Sequence, residues 1–315
     1  NFQDILNKFG SLKEPFLYLI SYDLKKTYIE KLNNLSQNIK FEIDSKNIKN
    51  IKDYTLKKYP ISFKEYKIKF DLIQDEIKKG NSYLLNLTTK TKIDTNLSLD
   101  EIYEAASSLL KLRVKIDDLD FVCFSPEKFI DIKDNKIYTY PMKGTIDTNL
   151  DDAKNLLLNS KKELAEHTMV VDLLRNDLGK VANNIKVEEF RKFSKIVTKD
   201  RELFQTSSVI SADLQNNWQE KIGDILLNIL PAGSITGTPK KSTIEILKNI
   251  ENYDRGFYSG IFGIFDGINL QSFVLIRFIE NINNELFYKS GGGITSDSIA
   301  KEEYEELLNK VYLPF

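Results

Sequence analysis

The chain has 315 residues, with 45 Lys and Arg against 46 Asp and Glu, and a net charge of -1. That length gives volume for a large core, and the balanced charge argues against a broadly basic nucleic-acid binder. A single cysteine, Cys123, excludes an internal disulfide and a cysteine-based zinc site, and a single histidine, His167, excludes any mechanism that needs two imidazoles.

The first sixty residues read as β, with an apolar run from Phe16 to Tyr22 and short strands at Thr27 to Ile29 and Phe41 to Ile43. Ser62 and Glu65 form a capping box, after which Tyr66, Phe70, Ile73 and Ile77 recur at helical spacing until Gly80. Tyr83 to Thr89 reads as a strand, Leu99 to Leu112 as a helix, and Phe121 to Tyr140 as short strands around a turn at Asp134-Asn135. Helices are expected from Leu150 to Leu178, then strands to about Leu214 and a helix from Ile222 to Leu230. A Gly-rich loop, Pro231 to Thr238, leads into a helix with Pro239 in its first turn. Gly260 to Glu280 reads as a hairpin around Asp266-Gly267, and Gly291 to Gly293 lie between a strand and a last helix, Ala300 to Val311. No run approaches the roughly 18 apolar residues of a membrane helix and no signal-peptide pattern opens the chain, so a cytoplasmic location is expected. Strands and helices mix without strict alternation, which favours an α+β fold over a doubly wound one.

Four constellations carry chemistry. Glu163 with Glu166, and Glu303 with Glu306, are spaced i,i+3 in helical segments, so each pair shares a face. Such a pair is ordinarily a solvated face, yet two of them converging suit Mg²⁺, which takes a few carboxylates plus water and substrate oxygens. Gly291 to Gly293 let backbone N–H groups approach an anion, although a plain turn is an equally good reading. Neither that run nor Gly233 to Lys240 is a nucleotide-binding fingerprint. Lys143, in Pro141-Met142-Lys143-Gly144-Thr145, becomes a nucleophile if desolvation frees its amine, although a surface lysine is the commoner case. Glu127, in Ser125-Pro126-Glu127, stands at a strand end where a carboxyl group can act as a general acid or simply close a turn.

In order along the chain, these motifs resemble those of the chorismate-utilising enzymes, the synthases for anthranilate, aminodeoxychorismate, isochorismate and salicylate. The resemblance runs from about Ser62 to Lys310. It is carried by Gly80 to Leu87, Ser125 to Glu127, Pro141 to Thr145, Glu166 to Met169 with Val171 to Gly179, and Gly233 to Lys240. Arg255 to Gly260, Arg277, Gly291 to Ile294 with Asp297-Ser298, and Glu303 to Lys310 complete it.

The resemblance implies large β-sheets flanked by helices with the active site between them, as a catalytic domain over residues 61–315 and a β-rich N-terminal segment, 1–60, packed on its core. Lysine at position 143, where other branches carry alanine, is similar to the aminodeoxychorismate branch, which supplies para-aminobenzoate and folate synthesis. Leu84 replaces the lysine of water-using relatives. The implied roles are Lys143 as covalent nucleophile and Glu127 as general acid. Mg²⁺ would sit on Glu166 and Glu306, with Glu163 and Glu303 beside them. Tyr258 and Arg277 would hold the enolpyruvyl carboxylate. Gly291, Gly292, Gly293 and Lys310 would hold the ring carboxylate, with Thr145 and Thr236 as further substrate contacts. Gln205 stands where the family pattern has histidine. With no Cys-His pair for glutamine hydrolysis, ammonia is expected from a glutamine amidotransferase subunit. The competing readings are the anthranilate branch, which Lys143 opposes, and a non-catalytic anion-binding module, which the acidic residues oppose.

Overall fold

The computed structural model describes residues 1–45, 53–197 and 202–315, without the side chains of Thr145, Lys162, Ile196, Val197 and Leu203. It opens with a helix, α1 (Phe2–Ser11), where only strands were expected. Phe2, Ile5, Leu6 and Phe9 recur at helical spacing, and Asn1 caps the helix by accepting from the Gln3 N–H. Strands β1 (Phe16–Ile20), β2 (Thr27–Lys31), β3 (Ile39–Ser45) and β4 (Leu56–Tyr59) follow. Helix α2 (Phe63–Lys78) begins at the expected capping box, in which Ser62 Oγ accepts from Glu65 N and the Glu65 carboxylate accepts from Ser62 N. Strand β5 (Leu84–Thr95) runs longer than the sequence suggested.

Helix α3 (Leu99–Ala105) stops early, and β6 (Ser108–Ile116) takes the rest of a segment that read as helical. The reason is tertiary. Leu110, Leu112 and Val114 alternate with Lys111 and Arg113, and β6 pairs with β3 on one side and with β7 (Leu119–Ser125) on the other. Strands β8 (Lys128–Lys133) and β9 (Lys136–Thr139) join at Asp134 and Asn135, whose φ angles of 52° and 55° suit a tight hairpin turn. Then come β10 (Met142–Asp147), α4 (Ala153–Asn159), α5 (Lys161–Gly179), β11 (Asn183–Val197), β12 (Glu202–Asp213) and α6 (Ile222–Ile229). The chain continues through β13 (Gly237–Thr238), α7 (Lys240–Glu251), β14 (Ile261–Phe265), β15 (Leu270–Val274), β16 (Phe278–Ile282), β17 (Glu285–Ile294) and α8 (Ala300–Asn309). The glycine run 291–293 therefore lies within β17, not between a strand and a helix.

The chain forms two compact units, neither of them a continuous stretch. The first comprises Asn1–Tyr18, Lys128–Ser234 and Gly263–Ser272. Its strands follow the order β10, β12, β9, β8, β15, β14, β1, with β11 also on β12. Residues 203–207 of β12 face β10 and residues 210–213 face β9, so these two short strands line one edge of β12 end to end. The core of this unit includes Trp218, whose ring meets Phe265 edge-on at 6.0 Å.

The second unit comprises Leu19–Glu127, Ile235–Phe262 and Phe273–Phe315. Its sheet runs β13, β5, β17, β16, β7, β6, β3, with β4 also on β5. One core cluster joins α2, β5, α7, β17 and α8 through Tyr66, Phe70, Ile73, Leu85, Leu87, Leu247, Ile294 and Leu307. No helix among the described residues is long and apolar enough to cross a membrane.

Candidate active site

In the first unit, β10 pairs with β12 as Lys143↔Thr206 and then Thr145↔Gln205, so Gly144 is the extra residue of a bulge. Its φ is +81°, and a Cβ there would lie 2.9 Å from Leu157 Cδ1 and 3.0 Å from Glu163 Oε2. Only glycine fits both the backbone and the space. The bulge bends the strand and re-aims the neighbouring side chain. Lys143 Nζ reaches to 3.9 Å from Glu166 Oε2, with the two side chains 23% and 11% exposed.

The i,i+3 spacing of α5 thus sets Glu163 against Gly144 and Glu166 against Lys143. Ser160 starts this helix, its hydroxyl accepting from Glu163 N at 3.2 Å. One residue on, His167 is fully buried, its Nε2 2.6 Å from Ser208 Oγ. Burial, with the Arg191 charge nearby, pulls its pKa down to about 4, so the imidazole is neutral at pH 7. Ser208 Oγ also accepts from Arg191 N at 2.9 Å, tying α5, β12 and β11 together behind Lys143. The Thr145 side chain lies outside the described residues. Gln205 is the β12 residue paired with Thr145.

The second unit holds the other acid pair. Glu303 is 5% exposed and accepts from Ser298 Oγ at 2.7 Å. Glu306 lies 2.7 Å from Lys310 Nζ, which also donates to Gly291 O at 2.8 Å. A Cβ on Gly292 would stand 3.6 Å from Glu303 Oε2 and 3.9 Å from both Glu306 Oε1 and Lys310 Nζ. Gly292, Glu303, Glu306 and Lys310 therefore meet at one place. The ladder between β16 and β17 ends at Phe278↔Lys289, whereas β5 stays paired as far as Ile294, so the glycine run has a strand on one edge only.

Arg277 sits in the connection between β15 and β16 at φ 55°, its carbonyl accepting from Phe124 N at 3.1 Å. Its Nε donates to the Tyr312 hydroxyl at 3.4 Å. Among the described residues, neither of its terminal nitrogens has an acceptor and no carboxylate pairs with it. A guanidinium kept from its usual acid partner is suited to an anionic ligand. Tyr258 is buried, and that burial pushes its hydroxyl up to about 12, within the electrostatic reach of Arg277. Glu127 is half-buried just beyond β7, its N–H donating to Ser125 Oγ at 3.1 Å. Thr236 is fully buried, its carbonyl accepting from Asn86 N at 2.9 Å.

Arg255 was singled out in a sequence motif, but its partner Glu251 was not. Arg255 and Glu251 are 3% and 4% exposed and paired at 2.6 Å and 2.8 Å. The same guanidinium donates to Ile235 O at 2.9 Å and to Asn86 O at 2.8 Å, on either side of Thr236 in the hydrogen-bond pattern. The signal was present as an acid and a base four apart, a spacing that is usually solvated.

The expected site residues divide between the units. Lys143, Thr145, Glu163 and Glu166 belong to the first; Glu127, Thr236, Tyr258, Arg277, Gly291 to Gly293, Glu303, Glu306 and Lys310 belong to the second. Among the described residues, no three Asp, Glu, His or Cys side chains close a metal site by themselves. Glu166 and Glu303, one from each pair, are largely out of water.

A family model described as chorismate binding enzyme matches residues 13–314. An uncharacterized PabA-like protein of Haemophilus influenzae is 48% identical, over 100% of this chain and 96% of its own length. Aminodeoxychorismate synthase component 1 of Bacillus subtilis is 30% identical, over 95% of this chain and 66% of its own length. Among solved structures, MenF, the menaquinone-specific isochorismate synthase of Escherichia coli, superposes with a TM-score of 0.76 at 17% identity, covering 98% of this chain and 80% of that one. At that identity the likeness speaks for the fold alone.

Proposed function

The chain belongs to the chorismate binding enzyme family, and from that premise we propose that it is component I of aminodeoxychorismate synthase. The reaction is amination of chorismate at C4. The Lys143 amine attacks ring C2, both ring double bonds shift by one bond toward C4, and the C4 hydroxyl departs as water with a proton from Glu127. Ammonia then attacks C4, both double bonds shift back, and the C2–N bond to Lys143 breaks, the departing amine taking up the proton that the incoming nitrogen loses. The product is 4-amino-4-deoxychorismate, and the covalent step replaces one hard displacement by two easier ones.

The observation that carries this reading is Lys143 itself, set on a glycine bulge with Glu166 at 3.9 Å. The anthranilate reaction has no use for a nucleophile there, which is why it ranks second. Glu166 and Glu306, with Glu163 and Glu303 beside them, are the residues that would hold Mg²⁺. That ion would neutralise the ring carboxylate and draw electrons from the ring. Arg277 and Tyr258 grip the enolpyruvyl carboxylate, while Lys310 and the glycine run serve the ring carboxylate. Thr236 and Thr145 are further contacts. A dianionic substrate requires two such anion sites. Ammonia is delivered by a glutamine amidotransferase subunit, since one cysteine, buried in β7, and one histidine, bonded to Ser208, leave no glutaminase pair.

The test is mass spectrometry of the chain with chorismate and Mg²⁺. Without ammonia, an adduct is expected on a peptide containing Lys143. With ammonium, 4-amino-4-deoxychorismate is expected, and Lys143→Ala should lower kcat far more than chorismate affinity. Anthranilate as product, or full ammonia-dependent turnover by Lys143→Ala with no adduct, would overturn the reading.

A further inference from the structure

The surroundings of Arg277 assign a task to a residue beyond the family motifs. The groups that act electrostatically on its guanidinium include Tyr288, Tyr312 and Tyr258, none of them a carboxylate. Tyr312 is the one in contact: its hydroxyl accepts from Arg277 Nε at 3.4 Å, and its ring centre lies 5.7 Å from the guanidinium carbon. Tyr312 is also held in place. Val311 and Leu313 on either side are 0% and 5% exposed within one core cluster, whereas Tyr312 between them is 43% exposed, so it is turned away from that cluster. Beyond it, Ser107 N donates to Pro314 O at 3.2 Å and the Phe315 ring meets Tyr54 edge-on at 5.1 Å.

A guanidinium can offer a carboxylate either of two edges, the terminal pair of nitrogens or Nε with one terminal nitrogen. We propose that Tyr312 is a positioning residue for substrate binding: by occupying Nε, it leaves Arg277 a single edge, the two terminal nitrogens, for the carboxylate of the ligand. A hydroxyl acceptor suits this task. An acid in its place would align Arg277 equally well but would compete with the ligand for the charge. The inference rests on the reading of Arg277 as the grip on the enolpyruvyl carboxylate.

At 3.4 Å the bond is near the outer limit for N–H···O, so a moderate effect is expected. Chorismate binding is measured by calorimetry on the full chain, together with steady-state kinetics with ammonium and Mg²⁺. Tyr312→Phe should raise Kd and KM for chorismate about three- to tenfold while kcat stays within about twofold and the melting temperature is unchanged. On an Arg277→Lys background, which lacks the Nε–H, the same substitution should change nothing further. Unaltered affinity in Tyr312→Phe, or an equal loss on both backgrounds, would overturn the proposal. If the unsubstituted chain fails to bind chorismate, the reading of the substrate falls first and takes the ligand assigned to Arg277 with it.

Discussion

Replacing Arg255 by Met should destabilise the second unit by about 3–5 kcal/mol, the cost of removing one partner of a buried ion pair. The guanidinium donates to Glu251 Oε2 at 2.8 Å, Glu251 Oε1 at 2.6 Å, Ile235 O at 2.9 Å and Asn86 O at 2.8 Å. Without it, the hydrogen bonds left to the Glu251 carboxylate among the described residues are those from Thr88 N and Thr88 Oγ1, each 2.9 Å from Oε1, against the desolvation of a carboxylate that is 4% exposed. The Arg255 side chain also stacks on Tyr22, its guanidinium carbon 4.3 Å from the ring centre, and Met keeps part of that packing. Because a native domain is stable by only about 5–15 kcal/mol, the loss is a large fraction of the total. Urea denaturation followed by far-UV circular dichroism measures it. Trp218 fluorescence alone is insufficient, since that tryptophan lies in the first unit. The double variant Glu251→Leu with Arg255→Met leaves no orphaned charge and should recover most of the loss. The reasoning fails if the single variant loses less than about 1 kcal/mol, or if the double variant is no more stable than the single.

The pH dependence of stability should carry the signature of His167. Its pKa falls from an ordinary 6.5 to about 4 on folding, so between those values the unfolded chain binds the extra proton. The contribution is fully present above pH 6.5 and is lost as pH falls toward 4, by about 3 kcal/mol across the window. Urea titrations at pH 7 and pH 5, compared with His167→Gln, isolate it; parallel curves for the two proteins would refute the assignment. Glu166→Ala and Glu306→Ala should each abolish Mg²⁺-dependent turnover of chorismate, and near-normal activity of either at limiting Mg²⁺ would remove that residue from the proposed metal set.

Several local signals were legible, although the equally local Asn1 cap and helical spacing of α1 were passed over. The Ser62–Glu65 capping box, the Asp134-Asn135 turn and the i,i+3 acid pairs each act within a few residues, and each stands in the structure as the sequence implied. The residues proposed to bear the chemistry, Lys143 and the four glutamates above all, were likewise singled out from the chain alone, because their motifs lie in order along it. What only the tertiary structure decided is everything set by a distant partner. Leu110 to Ile116 became a strand because β3 and β7 were there to pair with it. Gly144 became a bulge, and Lys143 acquired its direction, through the register against Thr206 and Gln205, some sixty residues away. Arg255 is buried because Glu251, Ile235 and Asn86 together satisfy its charge and its donors. Arg277 faces a tyrosine instead of an acid because the segment after α8 packs Val311 and Leu313 inward. Composition and periodicity report a residue's own preferences; a strand register or a buried charge depends on which groups surround it, and those come from elsewhere in the chain.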